Sequence, residues 1–309
     1  MKTFQISAYR AQPGLEDASA PKAEAGEVIV RVAVAALNPL DTKIQQGFMH
    51  DFFPVAFPYT LGTDLAGTIE EVGPDVEGWA VGDRVVARTD PSRGGAVGEL
   101  AVMPTSQLVQ LPVSVAMGDA AGSATAAATA YQALFEVAGL RSGQTVLIHA
   151  GAGGVGSFAI QLARHAGARV IATASGDGLD IVRRLGADQV IGYKTEAFED
   201  VVSDIDVVLD TIGGDTQLRS FGVLRKGGYL AATASPPDEA LATAHGVNAS
   251  FVFHQSDAER LGKLVEMIDT GSLKVLIDRT VALEEAGDAF AHQASGRARG
   301  KILVKMGGK

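Results

Sequence analysis

Cysteine is absent from this 309-residue chain. That excludes disulfides, every thiolate metal site and a cysteine nucleophile. Paired histidines are missing as well. His50, His149, His165, His245, His254 and His292 form no H-x-x-x-H pair, so a zinc-free protein is expected. No G-x-S-x-G elbow occurs, and Ser123 and Ser157 lack a partner for nucleophilic attack. Positive charge is in deficit: 26 Lys and Arg face 36 Asp and Glu, for a net charge of −10. Nucleic-acid binding needs clustered Lys and Arg for phosphate contacts, so that class is disfavoured. The first ten residues, MKTFQISAYR, show no charged-then-apolar leader pattern. No apolar run approaches the ~18 residues of a membrane helix. A cytoplasmic protein with no membrane partner is the expectation. Low-complexity tracts and repeats are also lacking.

What is present is an ample apolar fraction. Hydrophobic residues make up 47% and charged residues 20%, which suits a folded core and argues against disorder. The length allows two domains. The stretch Thr145–Gly156, TVLIHAGAGGVG, organises the rest. Val146, Leu147 and Ile148 read as a buried strand. Gly151-Ala152-Gly153-Gly154-Val155-Gly156 fits G-x-G-x-x-G, and a helical pattern follows over Ser157–Ala166. Strand, glycine turn and helix together form the phosphate-binding unit of a dinucleotide fold. Gly151 permits the sharp turn, Gly153 lets the backbone approach a pyrophosphate, and Gly156 lets helix lie close on strand. Free N–H groups at the helix start then face the anion.

Residues 1–117 read as β-rich. Glu27–Ala36, EVIVRVAVAA, suits a partly buried strand, and Thr68–Val72 and Arg84–Ala87 are further short strands. Pro13-Gly14, Gly73-Pro74, Gly82-Asp83 and Gly94-Gly95 punctuate them. A small barrel or sandwich is expected. Asp119–Val137 reads as one helix-prone segment. Strands and helices alternate from there: strands at Arg169–Thr173, Gln189–Tyr193, Asp206–Asp210, Gly228–Thr233 and Ser250–His254, helices at Leu179–Leu185 and Thr216–Leu224. This rhythm implies an α/β domain with a parallel sheet covered on both faces. A helix at Asp257–Ile268, a strand at Val275–Val281, a helix at Leu283–Gln293 and a strand at Lys301–Met306 close the chain, the last strands returning to the first domain.

Position 175 lies at the end of the second strand after the glycine turn. An NAD-preferring fold places Asp or Glu about there to hold the ribose 2′-hydroxyl. This chain has Thr173-Ala174-Ser175 instead, which leaves room for a 2′-phosphate and favours NADPH. Asp177 and Asp180 nearby act against that preference.

Several motifs jointly resemble the zinc-independent medium-chain dehydrogenase/reductases, in their quinone oxidoreductase (zeta-crystallin-like) branch. They are Asn38-Pro39-Leu40-Asp41, the run from Pro58 to Gly67, Val72-Gly73, Gly82-Asp83-Arg84-Val85 and Thr129-Ala130-Tyr131-Gln132-Ala133-Leu134. The glycine turn, Gly186-Ala187-Asp188 with Tyr193, Asp210 with Gly213-Gly214, and Gly300-Lys301-Ile302 complete the series in the family's order. The resemblance implies a GroES-like β-barrel domain over 1–117 and 272–309. A Rossmann doubly wound parallel sheet domain over 118–271 is inserted in it, with NADPH as cofactor and commonly a homodimer. It places Asn38 by the nicotinamide and substrate, and Thr129 at the nicotinamide end. Gly153, Gly154 and Val155 hold the pyrophosphate, with Gly151 and Gly156 counted in the same cofactor-binding turn. Ser175 and Tyr193 flank the 2′-phosphate, and Arg297 reaches it from the C-terminal segment. Thr211, Ala232, Thr233, Phe253 and His254 border the ribose and nicotinamide, and Thr173 is a further cofactor-binding residue. A Lys that commonly follows the Ser is missing; Arg183 and Arg184 are substitutes or plain solvated helix charges.

Zinc-dependent relatives carry a Cys and a His-Glu pair in the first domain. Here Asn38 and Asp41 stand in one region and Thr63-Asp64 in the other. Missing zinc bears on the reaction. Reduction of a simple ketone gives an alkoxide, whose conjugate acid is nearly as weak as water, pKa about 15.7. A quinone gives a phenolate-like anion, near the Tyr value of about 10. The gap is worth about 8 kcal/mol, and zinc supplies that stabilisation where it is present. A zinc-free site therefore suits quinones or α,β-unsaturated carbonyls. Proton donors open at this stage are Asp41, Lys43, Tyr59, Tyr131 and solvent, with Asn38, Lys43 and Tyr59 the leading catalytic candidates. Two rival readings remain: an enoyl-thioester or biosynthetic tailoring reductase, and an NADPH-binding sensor or structural protein with little turnover.

Overall fold

The computed structural model describes residues 1–307. The chain begins with β1 (Lys2–Ile6), β2 (Gly14–Asp17), β3 (Glu27–Leu37), α1 (Pro39–Gln45), β4 (Tyr59–Thr60), β5 (Asp64–Val72), β6 (Arg84–Arg88), β7 (Leu100–Pro104), β8 (Val109–Gln110) and α2 (Met117–Ser123). Next come α3 (Ala126–Tyr131), a π-helical turn at Gln132–Val137, β9 (Thr145–Ile148), α4 (Gly154–His165), β10 (Arg169–Ala174), α5 (Gly178–Leu185) and β11 (Gln189–Gly192). They are followed by β12 (Ile205–Asp210), α6 (Gly214–Ser220), β13 (Leu224–Ala232), α7 (Glu239–His245) and β14 (Asn248–Phe251). Then α8 (Ala258–Asp269), β15 (Ile277–Ala282), α9 (Ala286–Ala294) and β16 (Lys301–Lys305) close it.

Two compact units result: Met1–Thr125 with the chain from Ser256 onward, and Ala126–Gln255. The boundaries expected from sequence, 117/118 and 271/272, move to 125/126 and 255/256. The reason is packing. Leu261 and Val265 of α8 and Ala120 and Ala121 of α2 share one apolar cluster with Val34, Ala36, Ala66 and Val86 of the first unit's strands. The helix expected over Asp119–Val137 is likewise broken. Ser123 donates back to the Ala120 carbonyl at 2.8 Å, and the Thr125 amide is diverted to the Asp64 carboxylate at 3.2 Å. A backbone N–H bonded to a side chain cannot extend a helical ladder.

In the first unit, β3 is the spine. It pairs with β5 along one edge, while the other edge takes β7 at residues 27–31 and β16 at residues 34–37. The sheet order is β15-β16-β3-β5-β6-β8, and β2-β1-β4 form a smaller sheet. The alternation of EVIVRVAVAA is interrupted by a register shift between Val32 and Val34. Val28, Val30 and Val32 face one cluster, and after the shift Ala35 and Leu37 face it instead. Val34 and Ala36 turn to the α2–α8 side. A bulge re-phases a strand in this way because side chains alternate with period two. Gly67 sits where β5 crosses β3; a Cβ there would lie 2.1 Å from the Arg31 carbonyl oxygen.

The second unit is one all-parallel sheet in the order β11-β10-β9-β12-β13-β14. The chain starts at the centre, runs outward one way, then returns and runs the other way. This doubly wound order carries ligands at the strand carboxyl ends where the direction reverses. The apolar strands expected from sequence are all present, with ends displaced by a few residues. Leu224, expected at the end of a helix, instead starts β13, and β14 ends at Phe251, short of His254. No helix among the described residues is long and apolar enough to cross a membrane.

Candidate active site

The glycine turn has the geometry its sequence predicts. β9 ends at Ile148, and Ala150 takes a left-handed φ of 50° before the turn into α4. A Cβ on Gly156 would lie 2.3 Å from the Ala150 carbonyl oxygen, and one on Gly151 would lie 2.8 Å from Val182. Both glycines are thus required by close packing of helix, strand and turn. At Gly153 a Cβ would meet only Ala150, its carbonyl oxygen at 3.2 Å and its Cβ at 4.0 Å. Among the described residues no other side chain comes within 4 Å on that face of the loop, as a pyrophosphate requires. Gly153 caps α4, whose first turn carries no acidic side chain. The residues present therefore fit a dinucleotide phosphate.

Behind the turn lies a buried chain of hydrogen bonds that the sequence reading missed. Ser220 donates its hydroxyl proton to the Thr216 carbonyl at 2.7 Å, so its oxygen accepts from His149 Nε2 at 2.9 Å. His149 Nδ1 then accepts from the Thr173 hydroxyl at 3.2 Å, and the Thr173 oxygen accepts from the Ala150 amide at 3.2 Å. Each donor is used once, which fixes one neutral tautomer of His149. Burial holds its pKa down at about 4. The chain pins Ala150 directly ahead of the glycines. Thr173, expected at the cofactor, therefore turns its hydroxyl into this network. Ala232, expected there too, packs its methyl into the sheet's core.

The other residues expected at the cofactor lie at or just past the strand ends. Ser175 donates to the Tyr193 hydroxyl at 3.0 Å, and Tyr193 is exposed. Thr211 donates to the His149 carbonyl at 3.0 Å, and the Thr233 amide donates to the Asp210 carbonyl at 2.8 Å. Asp210 is fully buried. Its carboxylate accepts from the Ile212 and Gly213 amides, both at 2.9 Å, and from Gln217 at 2.9 Å, fixing the turn from β12 into α6. Thr129 is buried on α3, and the Gln132 side chain bonds the backbone on both sides of His254. Arg183 is tied to Asp180 at 2.7 Å.

In the first unit four chain segments converge: the end of β3, the start of β5, the end of β6 and the start of β16. Asn38 donates from Nδ2 to Asp64 at 2.8 Å, while its carbonyl oxygen accepts from Lys301 at 2.5 Å. Lys301 also donates to the Leu37 carbonyl at 3.0 Å and stands 3.5 Å from Asp64. Asp64 is fully buried and further accepts from the Thr125 hydroxyl. Burial lowers the Lys301 pKa, opposed by Asp64 and Asp41. Among the described residues no group of three or more His, Asp or Glu is placed to hold a metal. Of the proton-donor candidates, Lys43 is half-buried on α1. Tyr59 is buried, its hydroxyl donates to the Pro91 carbonyl at 2.7 Å, and burial raises its pKa. The structure makes it a packing residue, and it is withdrawn as a proton donor. Arg297 is an exposed residue of this first unit.

Asp41 is the perturbed acid of the cluster. One oxygen accepts from the Asn38 amide at 2.7 Å; the other is buried without a hydrogen-bond partner among the described residues. Burial raises its pKa to about 7, with the Asp64 charge adding and Lys301 and Arg88 opposing. A folded-state pKa above the unfolded value means the native state holds the proton longer. Asp41's contribution to stability is present in full below about pH 4 and is lost as pH rises through about 7. Asp41→Asn removes that loss. Its stability relative to wild type is expected to improve by about 2 kcal/mol between pH 5 and pH 8, measured by urea unfolding. An unchanged difference at the two pH values contradicts the assignment.

Comparisons with known proteins agree with this architecture. Residues 24–113 match the alcohol dehydrogenase GroES-like domain, and residues 185–304 match the zinc-binding dehydrogenase family. A chloroplast envelope quinone oxidoreductase homolog of Arabidopsis thaliana is 32% identical over 329 residues, covering 99% of this chain and 98% of that protein. A 2-methylene-furan-3-one reductase of Solanum lycopersicum is 32% identical over 322 residues, covering 98% of this chain and 79% of that protein. The structure of a quinone oxidoreductase from Coxiella burnetii superposes with a TM-score of 0.93 at 31% identity, covering 99% of each chain. With its split GroES-like unit, its doubly wound glycine-turn unit and two quinone oxidoreductase relatives matched along almost their whole length, the chain belongs to the medium-chain dehydrogenase/reductase family.

Proposed function

We propose that this NAD(P)H-dependent oxidoreductase prefers NADPH and reduces quinones or α,β-unsaturated carbonyls without zinc. The observation that carries the reading is the Asn38–Asp64–Lys301 cluster. The two segments that hold metal ligands in zinc-dependent relatives are here bonded to each other through a buried ammonium. Bound NADPH supplies a hydride, two electrons with one proton. The chain's own residues hold the phosphates on the α4 start, present the Ser175 and Tyr193 hydroxyls to the 2′-position and offer polar hydrogens to the acceptor oxygen. The second proton of the reduced acceptor comes from solvent. The named substrate of the tomato relative, a methylene-furanone, is an enone, and the other two relatives are named for quinones.

The NADPH preference rests on Ser175 and Tyr193, a bonded pair of uncharged hydroxyls just past the ends of β10 and β11; Asp180 nearby is paired with Arg183 at 2.7 Å. β14 is the free edge of its sheet, and we assign it to pairing with a second copy.

The test is oxidation of NADPH and of NADH against quinones, enones, enoyl thioesters and simple ketones. Turnover of quinones or enones with NADPH, and none of simple ketones, is expected. Tight NADPH binding with no turnover of any acceptor overturns the reading in favour of a sensor. In the same assay Ser175→Asp is expected to raise the KM for NADPH at least about tenfold while leaving NADH little changed, since a carboxylate repels a 2′-phosphate and bonds a 2′-hydroxyl. Equal effects on both cofactors place the 2′-position elsewhere.

A further inference from the structure

Asn38 is the first-unit residue that the resemblance places beside the nicotinamide and substrate, and its amide orientation is settled by its neighbours. Lys301 has only donors, so the atom it approaches must be the carbonyl oxygen. Asp64 ionised has only acceptors, so the atom facing it must be the amide nitrogen. The flipped amide would face NH2 to ammonium and oxygen to carboxylate. Asn38 is therefore locked by two opposite charges, and one Nδ2 hydrogen is consumed by Asp64 while the second remains.

Lys301 is itself held in a fork. It is 3% exposed, and its three hydrogens face the Leu37 carbonyl, the Asn38 carbonyl and the Asp64 carboxylate. A cation on an amide oxygen withdraws electron density from the nitrogen and makes the remaining N–H a stronger donor. Such polarisation matters most where water is excluded and charge develops on an acceptor.

We propose that Lys301 is a positioning residue for the reduction: its ammonium fixes the Asn38 amide and polarises its second N–H toward the oxygen that gains charge as hydride adds to the substrate. The electron pair displaced by the hydride settles on that oxygen, and a solvent proton neutralises it afterwards. Lys301 keeps its own proton throughout and acts through Asn38. This assignment rests on the reductase reading above.

The experiment compares Lys301→Arg, Lys301→Met and the neutralised pair Lys301→Met with Asp64→Leu, which removes both charges should the single Met variant fail to fold. NADPH affinity and unfolding are measured first, then kcat and KM across quinones whose hydroquinones span several pKa units. Both Met variants are expected to lose roughly tenfold to a hundredfold in kcat with NADPH affinity unchanged. The loss should deepen for acceptors that give the more basic anion, and Lys301→Arg should recover part of it. In an Asn38→Ala background the Lys301 change should have little further effect.

A folded Met variant or neutralised pair with wild-type kcat overturns the proposal. So does a loss of the same size for every acceptor, since that is what a merely structural lysine produces. If wild type itself reduces none of the acceptors, the reductase reading falls, and that outcome is distinct from failure of Lys301 alone.

Discussion

Asp64→Ala is expected to destabilise the protein by about 3–5 kcal/mol, the usual cost of leaving one member of a buried ion pair without its partner. Asp64 is fully buried and Lys301 nearly so, with 3.5 Å between their charged groups. Removing the carboxylate strands an ammonium and also removes the acceptor of the Asn38 amide and of the Thr125 hydroxyl and N–H. Thr125 lies just past the end of α2, so α2 loses the bond that ends it. Urea unfolding of the variant should show a much lower midpoint. The doubly neutral pair, Asp64→Leu with Lys301→Met, should recover most of the stability, because apolar replacement of both partners is often close to neutral. Additive losses in the double variant contradict the pairing.

Gly156→Ala is expected to weaken NADPH binding at least about tenfold and to cost about 1–3 kcal/mol of stability. The added methyl lies 2.3 Å from the Ala150 carbonyl oxygen and 2.9 Å from the Gly151 Cα. Both are backbone atoms, so no rotamer change relieves the clash. α4 must move off β9, carrying with it the N–H groups that face the phosphates. Ala150, already left-handed and pinned by the Thr173–His149–Ser220 chain, cannot yield instead. Gly287→Ala on α9 is the control. Nothing lies within 4 Å of its added methyl, and the change should be neutral or stabilising. Cofactor fluorescence titration and thermal unfolding of both variants read the two effects separately. Tight NADPH binding by Gly156→Ala places the phosphates off this turn.

Local chemistry explains why the second unit was readable from sequence. β9, the glycine turn and α4 are contiguous, and each glycine answers a need within a few residues or one strand away. The alternation of apolar strands with amphipathic helices gave the parallel sheet in the same manner. The first unit was harder. β3 carries a bulge between Val32 and Val34 that transfers its apolar residues between two clusters, and alternation alone does not locate it. The break in the segment Asp119–Val137 was invisible because Asp64 causes it from 61 residues away. Tyr59 is a proton-donor candidate by sequence, and only the fold sets its hydroxyl against the Pro91 carbonyl.

By itself the amino-acid sequence determined the dinucleotide turn, the α/β rhythm, the lack of thiolate ligands and the hydroxyl at position 175, since each is a property of neighbouring residues or of composition. Only the tertiary structure decided what Asn38 does. Its two anchors lie 26 and 263 positions away along the chain. They reach it because β16 returns from the far end to pair with β3. A buried charge network is set by which backbone segments meet where water is excluded, and nothing in the order of residues states that until the sheet has closed.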